Sequence, residues 1–113
     1  MLLLLLWQQW SLSIESNIKC PNTAEKYNCW RDELENILNR KGLSASFDVL
    51  AVLYETEPDF VSECHGYTHE LGEKAYFLFS RYKNIEMTPK ASYCGYGFYH
   101  GFIETMLDHF FIT

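Results

Sequence analysis

The sequence predicts an all-α fold, a compact four-helix domain stapled by disulfides, and three observations carry that prediction. Beyond Cys20 apolar residues recur at three- and four-residue intervals, and no stretch shows the period-two alternation or the Val/Ile/Thr density of a strand. With 48% hydrophobic and 17% aromatic residues, the 113-residue chain can fill one small core, which argues against disorder. Four cysteines, an even number in a small chain, suit a disulfide framework once the protein is exported.

The N-terminus is the reason to expect export. Leu2 to Leu6 form an unbroken apolar run, Trp7 and Trp10 extend it, and Ser11-Leu12-Ser13 offers a small-x-small cleavage site before Ile14. No Lys or Arg precedes the run and it is short, so a membrane-anchor remnant and a buried first helix are the competing readings. The expected organisation is a candidate signal peptide or anchor remnant over residues 1–13 and a single helical domain over residues 14–113. Location is then extracytoplasmic, secreted or associated with the cell envelope, with membrane association through the N-terminus as an option.

The first helix is expected over residues 23–41. Asn22 with Glu25 resembles a capping box, Tyr27, Trp30, Leu34, Ile37 and Leu38 form an apolar stripe, and Arg40-Lys41-Gly42 closes it. A second helix starts after Ser44, presents Phe47, Leu50, Leu53 and Tyr54, and ends near Glu57, because Pro58 disfavours helical geometry before it. Pro58 suits the first turn of a third helix, residues 58–82, with Phe60, Cys64, Tyr67, Leu71, Ala75, Leu78 and Tyr82 on one stripe and His65 and His69 on the next. A linker over residues 83–91 contains Pro89, and Ser92 is the candidate cap of a fourth helix reaching about Phe110.

Charge excludes one class of partner. Nine Lys and Arg against fifteen Asp and Glu give a net charge of -6 with no basic cluster, so the chain would repel a phosphate backbone, and nucleic-acid binding is rejected.

The chemistry concentrates in Cys64-His65-x-x-x-His69-x-x-Gly72 and Cys94-x-x-Gly97-x-x-His100-Gly101-x-x-Glu104. His65 and His69, four apart, project from one helix face, and His100 and Glu104 repeat the spacing, so three nitrogens and an oxygen could hold a divalent transition metal, zinc or copper, or haem. Satisfied, half-buried imidazoles are the bland alternative. Gly66 stands where a metalloprotease signature has its glutamate, which removes that reaction class. No Cys-x-x-Cys-His occurs, so thioether-attached haem is excluded as well.

Cys64 and Cys94 have three fates. As ligands they would join the histidines, although adjacent Cys64 and His65 diverge by about 100° on a helix. As a disulfide they would tie the starts of the last two helices, provided the linker carries the chain back; as free buried thiols they would only fill space. Export favours the disulfide, and Cys20 and Cys29 then pair by default. Gly97 and Gly101 share a face of the last helix and Gly72 lies on the third, which points to close backbone approach, or to approach of a flat cofactor, because interior glycine otherwise costs about 1 kcal/mol.

These two motifs resemble those of uncharacterised microbial envelope proteins that carry the same Cys-His-x-x-x-His-x-x-Gly and Cys-x-x-Gly-x-x-His-Gly-x-x-Glu elements. The likeness covers about residues 64–104 and implies that the motifs belong together, with no activity attached. Those proteins continue beyond the second motif, whereas this chain closes on Phe110-Phe111-Ile112-Thr113, so truncation or docking of the tail into a partner is expected.

Two functions follow. One is an exported helical domain binding a transition metal or haem through His65, His69, His100 and Glu104; the other is a disulfide-stapled protein-interaction or membrane-associated domain with structural histidines. Catalysis stays open: a metal-activated water with Glu70 or Glu104 as base is chemically feasible, but no residue identifies a substrate.

Overall fold

The computed structural model describes residues 20–111, without the side chain of Phe111; the candidate signal peptide and Ile14 lie outside the described residues. Among the described residues there are four α-helices, α1 (Lys26–Lys41), α2 (Leu43–Thr56), α3 (Pro58–Tyr82) and α4 (Tyr93–Phe111), a 3-10 turn at Pro89–Ser92, and no strand. The all-α, disulfide-stapled class is as the periodicity predicts. No described helix is long and apolar enough to cross a membrane.

The chain divides into two units, one ending at Trp30 and one beginning at Arg31. In the first, Cys20 and Cys29 are bonded, with Cα atoms 5.7 Å apart. Lys26 donates to Asn22 Oδ1 at 3.1 Å and lies over the rings of Tyr27 and Trp30, which meet edge to face. The helix starts at Lys26, three residues later than the capping-box pattern suggested. Pro21, which lacks an N–H, begins a tight turn in which Thr23 N–H donates to Pro21 C=O, so Asn22 and Glu25 sit in the turn that precedes the helix.

In the second unit Gly42, at φ 97°, is the single residue between α1 and α2. Leu34 and Leu38 of α1, Phe47 and Leu50 of α2, Phe60 and Leu71 of α3, and Phe98 of α4 are buried. Buried Ser46 donates to the Leu34 carbonyl at 2.9 Å, which satisfies its hydroxyl while fixing α2 to α1. Phe47 and Phe98 meet edge to face at 5.0 Å. Tyr82, expected on the buried stripe of α3, is 64% exposed, since it is the last residue of the helix.

The connection after α3 determines how α3 and α4 lie. Lys83 closes α3 in the left-handed region, the Thr88 side chain caps the 3-10 turn by accepting from Lys90 N–H, and the chain returns to the start of α3. The exposed Lys90 ammonium bonds Asp48 at 2.7 Å, and this hydrogen bond raises its pKa. Because Cys94 ends beside Cys64, α4 then runs parallel to α3. Ser92, the expected cap of α4, instead donates to the Pro89 carbonyl within the 3-10 turn.

Candidate functional site

Cys64 and Cys94 are joined, with Cα atoms 5.5 Å apart and 30 residues between them in sequence. Their role as ligands or free thiols is thereby excluded, and the adjacency of Cys64 and His65 works as the helical geometry requires: Cys64 is buried while His65 is exposed.

From this bond the two helices run together on glycine. A Cβ built on Gly97 would strike the Thr68 side chain and lie 2.6 Å from the His65 carbonyl oxygen; one on Gly101 would strike the His69 backbone, 2.7 Å from its carbonyl carbon; one on Gly72 would strike the Phe98 carbonyl and lie 2.7 Å from Phe102 N. Real side chains do not reach such distances, so these positions require glycine for the backbones to touch. Thr68, fully buried in the seam, returns its hydroxyl to the Cys64 and His65 carbonyls at 2.9 and 3.0 Å. Two of these glycines on α4 and one on α3 were legible from spacing alone.

The entrance to α4 was not legible. Cys94, Gly95 and Tyr96 adopt φ values of 62°, 66° and 61°, a left-handed turn in which only Gly95 is at ease. For Cys94 and Tyr96 this costs about 1–2 kcal/mol each. The disulfide at Cys94 and a hydrogen bond from His65 Nδ1–H to the Cys94 carbonyl, 2.9 Å, hold it in place.

His65, His69, His100 and Glu104 emerge on the solvent edge of the same seam. His65 and His100 face each other edge to ring at 5.4 Å, and His65 and His69 stand 6.4 Å apart. His69 Nε2 lies 3.0 Å from Glu104 Oε2, an exposed pair whose contribution to stability is small. All four predicted residues are therefore neighbours, although no three His, Cys, Asp or Glu side chains among the described residues converge on one point as an ion would need. The remaining histidine, His109, is elsewhere: its Nδ1–H donates to the Thr105 carbonyl, and its ring contacts Tyr76 and Phe77. Glu70, weighed as a base, faces Arg31 at 3.9 Å along the seam with α1.

No protein-family model matches the chain, and neither a curated protein nor a solved structure is significantly similar to it.

Proposed function

We propose that this is an exported helical domain that binds a divalent transition metal, zinc or copper, at the edge of the α3–α4 seam through His65, His69 and His100, with Glu104 as a further ligand or as the orienting group of His69. The supporting observation is the orientation of two rings. His65 gives Nδ1–H to a carbonyl and His69 holds Nε2 against a carboxylate, the arrangement in which a ligating imidazole keeps its other nitrogen free for the metal. The free nitrogens are Nε2 of His65 and Nδ1 of His69, with His100 beside them. Assembly of a three-ligand site requires exposed side chains to turn about their side-chain torsions, while the backbone beneath is fixed by glycine and disulfide. A hydrated ion suits this open edge better than haem, which needs apolar walls on both faces of the macrocycle. Two disulfides favour an extracytoplasmic location, where such bonds persist.

Titration calorimetry with zinc and copper(II) on the oxidised, untagged chain tests this reading. Wild type should bind at micromolar concentration, His65→Ala, His69→Ala and His100→Ala should each lose more than about tenfold in affinity, and His109→Ala should match wild type. Absence of binding by the wild type, or equal loss in His109→Ala, would overturn it.

A further inference from the structure

Three consecutive residues in the left-handed region are costly where a helix starts. Cys94 and Tyr96 carry side chains at φ 62° and 61°, and only Gly95, at 66°, occupies that region freely. Such strain persists where the surrounding structure holds it, and it gathers at sites that need one group in an unusual place. The bond to Cys64 does not by itself require it: a Cα separation of 5.5 Å is usual among disulfides, whereas positive φ is rare at any non-glycine residue.

What the turn does place is a carbonyl. In a regular helix the Cys94 oxygen would point along the axis towards the N–H four residues on. In the left-handed turn it lies across the seam, 2.9 Å from His65 Nδ1. A carbonyl only accepts, so the neutral ring carries its proton on Nδ1 and leaves Nε2 bare. Glycine makes room for that ring: a Cβ on Gly95 would lie 3.4 Å from His65 Nδ1, and one on Gly97 3.2 Å from it. His69, by contrast, is oriented by the Glu104 side chain, which is 64% exposed and free to rotate. His65 is therefore the one imidazole of the cluster whose second nitrogen is held by main chain.

We infer that Cys94 and Gly95, held by the disulfide to Cys64, are positioning residues of the ion site: their turn fixes His65 as the Nδ1–H tautomer with Nε2 directed away from it, so the disulfide sets ion affinity as well as stability. The affinity half rests on the metal reading; the tautomer half belongs to the metal-free chain. A group that orients a ligating imidazole through its other nitrogen contributes about tenfold to hundredfold in affinity.

The test compares three oxidised full-length variants with wild type, by long-range nitrogen–proton NMR of the metal-free chain and by zinc titration calorimetry. Cys64→Ala with Cys94→Ala releases the turn, and Gly95→Val keeps both disulfides but forces a β-branched residue into the left-handed region. Both should show His65 as a mixture of tautomers and lose about tenfold or more in zinc affinity. Cys20→Ala with Cys29→Ala, which removes the disulfide of the other unit, should keep the Nδ1–H tautomer and wild-type affinity. A turn that serves stability alone gives a different pattern: a lower melting temperature, with tautomer and affinity unchanged in whichever of the first two variants folds. That pattern overturns the inference, as does an equal change in the Cys20 and Cys29 variant. A wild type that binds no ion sinks the metal reading, while the tautomers of the metal-free chains still decide whether the turn positions His65.

Discussion

α3 meets α4 and α1 in opposite ways. Against α4 the backbones approach closely: Gly72, Gly97 and Gly101 let them meet with only the Thr68 hydroxyl packed against Gly97, and Cys64–Cys94 bonds one end. Against α1 the seam is made by side chains. Leu34 and Leu71 line a gap of about 10 Å³, the ion pairs Arg31–Glu70 and Glu35–Lys74 flank it at 3.9 and 2.6 Å, and Glu35 and Lys74 also border a cleft of about 650 Å³ beside Asn39, Phe77 and Arg81. A seam built of side chains tolerates exchange of volume, whereas one built of backbone tolerates none. This difference sorts the motif residues: the cysteines and glycines bring the backbones together, and the imidazoles lie along the exposed edge, where His65 bonds the Cys94 carbonyl and His69 pairs with Glu104.

Substitutions can break the comparison, and the largest effect belongs to the backbone seam. Gly101→Leu should destabilise by more than about 3 kcal/mol or prevent folding, since the side chain must displace His69 backbone. Leu34→Met on the α1 side should cost less than about 1.5 kcal/mol. Similar losses for the two in thermal or urea unfolding would abolish the distinction. Next in size, replacing Cys64 and Cys94 together by Ala should cost roughly 3–4 kcal/mol, against roughly 2–3 for the shorter loop closed by Cys20 and Cys29. Equal losses in urea would mean that the left-handed turn does not depend on its disulfide. The smallest effect has the opposite sign. Gly66 is exposed and helical with open space at its Cβ, so Gly66→Ala should stabilise by about 0.5–1 kcal/mol. A loss there would show that Gly66 is reserved for approach of a ligand to the histidine edge.

Much of this fold was legible because apolar spacing and punctuation act locally: Gly42 and Pro58 separate α1, α2 and α3 nearly where the sequence places the breaks. The close approach was legible too, since glycine in a helix interior has to be offset by something it permits. The turn at Cys94, Gly95 and Tyr96 was not, because a bulky residue at positive φ is held by tertiary bonds to His65 and Cys64 that no local pattern encodes. The exposed side of α4 escaped for a different reason. Apolar spacing assigns no residue of α4 to one side or the other, and only the observed exposure separates Ile103, Met106, Leu107 and Phe110 from buried Phe98.

If the edge of the α3–α4 seam presents an oriented imidazole to an ion, the tautomer of His65 tests that most directly. Long-range nitrogen–proton NMR on ¹⁵N-labelled, oxidised protein at mildly alkaline pH should show His65 protonated on Nδ1 and bare on Nε2. Addition of zinc should shift Nε2 of His65 together with resonances of His69 and His100 and leave His109 unmoved. A proton on Nε2 of His65, or a zinc response confined to His109, would contradict the claim.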